Sequence, residues 1–506
     1  MHALGIDVGS TNVKVALVDA DGQLHASASR PLATRHDGQV AEQDPDAIWS
    51  AVTGAVREVT GSQPARAAQV VSLGVCSQYS SIVAVDAAGD AISPVLMYTD
   101  QRGTDRCWDL MAEDPDAFDT WVERHGIPPI GGGLSLAHLL HLQHERPELH
   151  ERSAAYLEVV DLVNLRLTGR AAATQCTMFA AQLCDNRTVG TTTYDEELLR
   201  RSGVDADRLP ELVPVDGAVG ELDAATAASL GLPPGAVVRA GMNDTQAAAF
   251  ATGTAIEVDG APARCGVVIG TTAVMVRPLR HKAVDLEREV LSMPAPIPDR
   301  HLVMAENGLA GRAVEHALGT LSPAGGPPPF DELADALRSS PPGAGGVLFL
   351  PWLGGSMSPS SSSRIRGGFV NMSLSTTRAD LLRATVEGVA RNLRWLAPAV
   401  DDQAGAPADP RVLAGGAARS RGWAQAVADV LGRPVEVLER PEVAAARAVA
   451  VVALRRTTGG DPTEVGIDVA ERLEPDPAAT AEHDRLQPAF EDAFTALRPV
   501  CEALQP

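Results

Sequence analysis

Two short turns rich in glycine and hydroxyl side chains, one in each half of the chain, could bind phosphate groups. Gly9, Ser10 and Thr11 separate two apolar segments, residues 4–6 and 13–18, which have the composition of β-strands. Residues 270–272, with the sequence Gly-Thr-Thr, separate two more. Glycine lets the backbone approach a phosphate closely, and N–H and hydroxyl groups donate hydrogen bonds to it. An ordinary hairpin turn has the same composition, so each turn taken alone leaves that interpretation open.

Two aspartates could supply the metal and proton chemistry that phosphoryl transfer requires. Asp7 ends the first strand and is placed to order a hydrated magnesium ion. Asp244 lies between a strand and a helix of small residues, where a carboxylate could accept the proton of an attacking hydroxyl. The alternative for Asp244 is a helix N-cap without a catalytic duty. Lys14 is expected either to reach a phosphate or to face solvent.

A third glycine pair, Gly415 and Gly416, lies just before a predicted helix at residues 423–431. It would let a flat base or a ribose approach the backbone closely. A tight strand–helix turn is the alternative. The chain contains no G-x-x-x-x-G-K-[ST] segment, which excludes a Walker-type ATPase.

The elements that would position these residues predict an α/β protein with a duplicated domain. Each half contains one strand–turn–strand unit around a candidate phosphate turn. Helices are expected after Asp44 and from Thr377, where Asp380 completes a capping-box pattern. Residues 318–342 are predicted to be an insertion or loop around a short helix at residues 331–338. The residues beyond 460 are predicted to be helical.

Composition and charge restrict the class of partner. The 506-residue chain is long enough for two or three domains. A formal net charge of -23 argues against a nucleic-acid or membrane-surface partner, because both are polyanions, but not against a nucleotide. The six cysteines show no C-x-x-C spacing, and no apolar run reaches the roughly 18 residues that a membrane helix needs. We therefore expect a cytoplasmic protein.

In combination and in order, these segments resemble the FGGY family of carbohydrate kinases, within the actin, sugar kinase and Hsp70 superfamily. The resemblance extends from Leu4 to about Leu454. Residues 5–14 and 270–272 resemble the two phosphate motifs of the family, and residues 415–420 its adenosine motif. Residues 97–102 resemble the W-x-D-x-R segment near the sugar, and residues 348–355 and 366–369 the C-terminal signature. Asp244 falls at the position of the family's catalytic base.

The resemblance implies an α/β fold of two ribonuclease-H-like (actin-like ATPase) domains with a cleft between them. The first domain, residues 1–239, is expected to hold the sugar and the first phosphate motif. The second domain, residues 240–506, is expected to bind ATP, with C-terminal helices that pack back on the first. ATP, Mg²⁺ and a small sugar or polyol are the implied ligands. The implied residues are Asp244 as the catalytic base, Asp7 for the metal, Gln78, Tyr79, Ser80, Asp100, Arg102 and Asp244 for the sugar, and Gly9, Ser10, Thr11, Asn12, Lys14, Gly270, Thr271, Thr272, Gly415, Gly416, Ala417 and Arg419 for ATP.

The sugar-contacting segments depart from the patterns of individual family members. Xylulose kinases of the family carry Gln-Met-His-Gly where this chain has Gln78, Tyr79, Ser80 and Ser81. Glycerol kinases carry Arg-Glu at the positions of Tyr79 and Ser80. The resemblance therefore favours a ketose such as a pentulose over glycerol, and it leaves a reduced polyol and a homodimer open. The alternatives are a sugar-responsive protein without catalysis and an actin- or Hsp70-like ATPase with a protein partner.

Overall fold

The fold is given by a computed structural model, which describes residues 1–255, 264–321 and 330–504. The strands within these residues are β1 His2–Val8, β2 Asn12–Asp19, β3 Leu24–Pro31, β4 Arg35–Asp37, β5 Val40–Gln43, β6 Val70–Ser77, β7 Ile82–Val85, β8 Val95–Leu96, β9 Ala155–Glu158, β10 Ala172–Ala173, β11 Glu211–Leu212, β12 Ala218–Glu221, β13 Val237–Arg239, β14 Met242–Asn243, β15 Cys265–Ile269, β16 Ala273–Leu279, β17 Val284–Asp285, β18 Val290–Pro294, β19 His301–Asn307, β20 Leu348–Leu350, β21 Gly368–Val370, β22 Arg411–Ala414, β23 Val435–Leu438 and β24 Val469–Leu473. The α-helices are α1 Pro45–Ser62, α2 Pro64–Ala67, α3 Thr104–Glu113, α4 Ala117–Arg124, α5 Ser135–Glu145, α6 Pro147–Arg152, α7 Val159–Thr168, α8 Glu196–Ser202, α9 Ala224–Leu230, α10 Asp244–Ala251, α11 Gly311–Leu321, α12 Phe330–Ser339, α13 Arg378–Gln403, α14 Arg421–Leu431, α15 Ala444–Thr458 and α16 Pro477–Leu504.

The first large sheet lies in the N-terminal half and has the strand order β12-β13-β6-β1-β2-β3. Strand β1 runs antiparallel to β2 and parallel to β6, and β2 runs antiparallel to β3. Every residue of β1 is buried because helices cover both faces of the sheet. Leu4 and Ile6 share a core with α1, whereas Ala3 shares one with α15, as expected for side chains that alternate between the faces.

The second large sheet repeats this arrangement in the C-terminal half, with the order β17-β18-β19-β16-β15-β22-β23-β24. Strand β15 pairs with β16 antiparallel and with β22 parallel, as β1 pairs with β2 and β6. Strands β19 and β23 take the places that β3 and β13 hold in the first sheet. The prediction of a duplicated α/β fold of the ribonuclease-H-like kind is therefore confirmed.

Helix α15 follows the second sheet in sequence but packs on the first, against β1 and β6. Two glycines make this close contact possible. A Cβ atom on Gly5 would lie 1.9 Å from the Ala446 carbonyl oxygen, and one on Gly74 would lie 2.3 Å from that of Val449. Helix α16 instead contacts α13 and α14. A domain boundary between residues 239 and 240 stays a prediction.

The helices that the sequence indicated are present, and the C-terminal tail differs in part. Helix α1 is capped by Asp44, and α13 begins with a capping box of Thr377 and Asp380. The prediction of helix throughout the residues beyond 460 is wrong for β24, which completes the sheet edge beside β23. A cross-strand pair of opposite charges, Arg472 and Glu436, supports that pairing. Of the predicted loop at residues 318–342, residues 322–329 lie outside the described residues.

A five-stranded sheet, β4-β5-β8-β7-β9, adjoins the first large sheet and carries the segments around residues 78–81 and 97–102. Its strand β5 contacts the first phosphate turn through Gln43, and helices α5 and α7 pack against its strands β7 and β9. Within the described residues, no helix combines the length and the apolar character that a bilayer crossing requires.

Candidate active site

Asp7 lies near the end of β1, at the base of the first hairpin turn, and its side chain is buried. It faces Lys14 across the hairpin, and the Lys14 amine lies 3.4 Å from Asp7 Oδ2. On the neighbouring strand β6, the Cys76 thiol donates to Asp7 Oδ1 over 3.7 Å. Lys14 therefore has an acidic partner within the protein, and a contact of Lys14 with ATP stays a prediction.

The turn after β1 is held in one shape by backbone hydrogen bonds. The Gly9 N–H donates to the Asn12 carbonyl at 3.0 Å, and the Gln43 side-chain amide donates to the Ser10 carbonyl at 2.8 Å. The Asn12 side chain donates to the Thr11 hydroxyl at 3.1 Å. Thr11 is exposed and Gly9 and Ser10 are partly exposed, so a ligand can reach all three.

Asp244 is the first residue of α10, and its neighbour, not Asp244 itself, caps the helix. The Asn243 side chain accepts from the Gln246 N–H at 2.8 Å, and the Gln246 side chain accepts from the Asn243 N–H at 2.9 Å. This capping box satisfies the helix start. The Asp244 carboxylate accepts a hydrogen bond from the adjacent Thr245 N–H at 2.8 Å. The alternative that Asp244 is the N-cap residue is therefore wrong.

A group of carboxylates surrounds this position. Burial raises the pKa of Asp244 to about 7, and the nearby negative charges of Asp7 and Glu306 add to the shift. Glu306 comes from β19, and burial raises its pKa to about 7 as well, against a hydrogen bond from Thr272 that lowers it. The first hairpin, α10 and the second hairpin thus contribute to one acidic site between the two sheets.

The second hairpin turn is braced by the start of α11. Gly270 donates its N–H to the Thr272 carbonyl at 2.9 Å, while the Gly311 N–H donates to Gly270 and the Arg312 N–H to Thr271. A Cβ atom on Gly311 would lie only 2.2 Å from the Gly270 carbonyl oxygen. The helix start can therefore touch this turn only because residue 311 is glycine. Gly270 is exposed and both threonines are partly exposed.

The predicted adenosine segment lies beside the second hairpin because its strand, β22, pairs with β15. Gly415 has a φ of 86°, and a Cβ atom there would lie 2.5 Å from the Ile269 carbonyl oxygen. Gly416 and Arg419 are exposed, whereas the Ala417 side chain is buried, so Ala417 can offer a ligand only its backbone. This segment therefore packs directly against the last residue of the strand that leads into the second hairpin.

Of the three predicted sugar residues after β6, Tyr79 joins the acidic site. Burial raises the pKa of Tyr79 well above its usual value, and the charges of Glu306 and Asp244 raise it further. Gln78 and Ser80 are buried and bonded to the protein. The Gln78 amide donates to Gln43 Oε1 at 3.0 Å, and the Ser80 hydroxyl donates to a backbone carbonyl at 2.7 Å.

Asp100 and Arg102 form a closed group with each other. Asp100 is fully buried, and its Oδ2 accepts from the Ala41 N–H at 2.9 Å and from Arg102 Nη2 at 2.7 Å. Its Oδ1 accepts from the Arg102 backbone N–H at 3.1 Å and from Arg102 Nε at 3.0 Å. Arg102 also donates to Glu42 at 2.7 Å. Both Asp100 oxygens are therefore occupied, and direct sugar contact by this pair stays a prediction. From the same segment, Tyr98 lies near Glu306 and Asp244, and burial raises its pKa.

Comparison with known families agrees with this arrangement. The N-terminal domain of the FGGY family of carbohydrate kinases matches residues 2–251, and its C-terminal domain matches residues 265–455. The chain belongs to the FGGY family of carbohydrate kinases. This kinase is 26% identical over 443 residues to the xylulose kinase of Bacillus subtilis, a match that covers 87% of the chain and 85% of the relative. It is 26% identical to the gluconokinase of the same organism, over 87% of the chain and 85% of the relative.

The fold agrees with solved structures of the family. The xylulose kinase of Rhodospirillum rubrum is 25% identical, with a TM-score of 0.83 over 99% of this kinase and 100% of that chain. The predictions of an FGGY kinase, of its two-domain fold and of ATP-dependent sugar phosphorylation are therefore confirmed. The roles of single residues, including Asp7, Asp244 and the three glycine turns, stay predictions.

Sequence reasoning missed four side chains of this kinase that the structure brings to the site or directly behind it. They are Tyr98, Glu158, Glu306 and Arg312. Tyr98 stands where the family pattern has tryptophan, which was a usable signal. Glu306 is the one acidic residue in the strand HLVMAEN, and charged residues are rarely buried without a function or a partner. Arg312 carried no comparable signal.

Proposed function

We propose that this kinase transfers the γ-phosphoryl group of ATP to a hydroxyl of an uncharged ketose of the pentulose class, with Asp244 as the general base. The state of Asp244 carries the proposal. Asn243 performs the capping, so the Asp244 carboxylate is available, and its pKa is about 7. A base whose pKa lies near the working pH is ionised to a useful extent and still binds a proton well.

Asp244 accepts the proton of the attacking sugar hydroxyl and orients its oxygen for in-line attack on phosphorus. The turns at residues 9–11 and 270–272 hold the phosphates with N–H and hydroxyl donors. The backbone at Gly415 and Gly416 accommodates the adenosine. Closure of the two halves around the substrates excludes water, which suppresses ATP hydrolysis without a sugar.

A magnesium ion fits Asp7 as a single-carboxylate partner. Among the described residues there is no group of three or more side chains suited to hold a metal by themselves. Magnesium bound with a nucleotide needs only one or two carboxylates, because phosphates and waters complete its shell. Repulsion between Asp7 and Asp244, which raises the Asp244 pKa, is relieved by a cation. When bound, the ion offsets the charge of the phosphate oxygens.

The charge of the site favours an uncharged acceptor. Asp244 and Glu306 lie near the Tyr79 and Tyr98 hydroxyls, so the sugar would meet two carboxylates and two hydroxyl groups. An aldonate such as gluconate carries its own carboxylate, which these charges repel. A neutral ketose satisfies the same groups through its hydroxyls. Among the relatives, this supports the acceptor of the xylulose kinases over that of the gluconokinase.

ADP release by the purified protein with Mg-ATP tests the proposal across pentuloses, hexuloses, aldoses, polyols and gluconate. A neutral ketose, with pentuloses foremost, is expected to stimulate ADP release well above the rate with ATP alone. Strongest stimulation by gluconate would contradict the acceptor class. Failure of every compound to stimulate release, by a protein that binds ATP, would contradict the proposed function.

A further inference from the structure

Glu158 is a buried carboxylate that the proposed chemistry does not use. It is the last residue of β9, and its side chain is 1% exposed. One oxygen accepts a hydrogen bond from the Ser81 N–H at 2.8 Å, and the other accepts from the Ser135 hydroxyl. Burial raises its pKa to about 7, which these two hydrogen bonds oppose. Burying a carboxylate costs free energy of folding, and here the two hydrogen bonds that it accepts fix the conformation of the segments around Ser81 and Ser135.

The segment that Glu158 bonds has an unfavourable conformation. Ser80, next to the Ser81 N–H, has a φ of 60°, which a residue other than glycine adopts only when its surroundings impose it. The Ser80 hydroxyl donates to the Gly133 carbonyl at 2.7 Å, and the Ser135 hydroxyl lies 3.4 Å from the Ser80 hydroxyl. Glu158 and Ser135 therefore fix both sides of Ser80.

The same contacts reach the second aromatic residue of the site. A Cβ atom on Gly133 would lie 2.4 Å from the Tyr98 carbonyl oxygen, so the turn before α5 is pressed against the backbone of Tyr98. Ser135, the first residue of α5, follows that turn. Glu158 is thus connected to the segment of Tyr79 by hydrogen bonds and, through Ser135 and the turn before α5, to the segment of Tyr98 by backbone packing.

We propose that Glu158 is a positioning residue that holds the Tyr79 and Tyr98 segments in place and thereby sets the affinity of the kinase for its sugar. This inference rests on the proposed function, because it assigns Tyr79 to the acceptor side of the site. Glu158 acts through Ser81 and Ser135 and does not touch the sugar. Small displacements of substrate-contacting groups cost much of their effect, so loss of the two hydrogen bonds weakens sugar binding.

The test compares Glu158→Leu, Glu158→Gln and Ser135→Ala with a matched control, Asp161→Asn. Asp161 is equally buried, lies three residues further on, and bonds Thr177 rather than residues 78–81. The charge of Glu158 reaches Asp161, but Asp161→Asn leaves both hydrogen bonds of Glu158 in place. Glu158→Leu should raise the KM for the sugar about tenfold or more while the KM for ATP changes less than about twofold. Glu158→Gln keeps an acceptor for the Ser81 N–H and should restore most of the affinity. Asp161→Asn should leave the sugar KM unchanged.

Amide hydrogen exchange of the proteins without ligand provides a readout that does not depend on activity. Exchange in residues 79–82 and 133–136 should accelerate in Glu158→Leu and Ser135→Ala but not in Asp161→Asn. Ser135→Ala removes a single hydroxyl and serves if Glu158→Leu does not fold. Unchanged exchange and unchanged sugar KM in Ser135→Ala would overturn the positioning role. If exchange accelerates in the variants but the wild type phosphorylates no sugar, the proposed function is overturned and the positioning of the two segments by Glu158 is not.

Discussion

Asp244 should destabilise the folded protein at neutral pH. The stability of Asp244→Asn relative to wild type should therefore increase as the pH rises. Asp244 has a pKa of about 7 in the fold, against an ordinary value of 3.8. A carboxyl whose pKa is raised by folding favours the folded state at low pH, and this contribution is lost as the pH rises through the folded pKa. Asparagine does not titrate, so the variant escapes the loss.

The magnitude follows from the pKa shift. Well below its folded pKa the wild type loses about 1.4 kcal/mol of unfolding free energy per pH unit, and this slope is halved at pH 7, so the loss between pH 5 and pH 7 is about 2 kcal/mol. The loss ends above the folded pKa of about 7. This is an upper value, because Asp244 keeps partial contact with solvent. It corresponds to a change of roughly 4–8 °C in the melting temperature of a domain of roughly 150–250 residues.

Thermal melts of the protein without nucleotide or magnesium, at constant ionic strength from pH 5 to pH 8, measure the effect. The melting temperature of Asp244→Asn minus that of wild type should increase across this range. Asp223→Asn is the control, because Asp223 caps α9, accepts from the Thr226 N–H at 2.9 Å and has a lowered pKa. Asparagine also caps helices well, and the effect of the Asp223 charge is complete above the ordinary carboxyl range, so the difference between that variant and wild type should be constant from pH 5 to pH 8. A difference for Asp244→Asn that is flat or falls with pH would refute the reasoning.

Two further predictions concern Glu306, near Asp244, and Gly311, beside the second hairpin turn. Glu306→Gln removes a negative charge that raises the Asp244 pKa, so the acid limb of the pH profile of kcat/KM for the sugar should move to lower pH. An acid limb at the wild-type pH would show that Glu306 does not influence the pKa of the base. Gly311→Ala places a Cβ atom against the Gly270 carbonyl and should raise the KM for ATP about tenfold or more. Gly319→Ala, in the same helix and with open space at its Cβ position, should leave the KM for ATP unchanged and add roughly 0.5–1 kcal/mol of stability. Equal ATP kinetics in the two glycine variants would show that the second hairpin does not hold phosphate.

The parts of the site that the sequence predicted are those confined to short segments. The turns after β1 and β15 can be recognised from the sequence because glycine, serine and threonine lie between two apolar strands. The order of the motifs along the chain indicates the family. The choice between Asn243 and Asp244 as the cap needed coordinates, since both residue types cap helices and a boundary moves easily by one residue.

The residues that the sequence did not predict reach the site through tertiary pairing. Glu306 is brought to the site by the pairing of β19 with β16, in which it lies opposite Val274. The two paired residues are more than thirty positions apart in the sequence. Glu158 reaches Ser81 through the pairing of β9 with β7. Asp100 and Arg102 show the converse, because a sugar segment of the right pattern is engaged in its own ion pair. A local sequence pattern indicates which residues are polar. Only the tertiary packing determines which of these side chains lack a partner within the protein and are available to a ligand.

The central claim, that Asp244 is the base for sugar phosphorylation, is tested most directly by single-turnover formation of sugar phosphate by Asp244→Asn and wild type. Both proteins are loaded with Mg-ATP and the acceptor that the substrate panel identifies, and nucleotide binding is measured alongside. Loss of the general base should slow product formation about 10²- to 10⁴-fold while nucleotide affinity persists. A variant that forms sugar phosphate at near the wild-type rate would contradict the account.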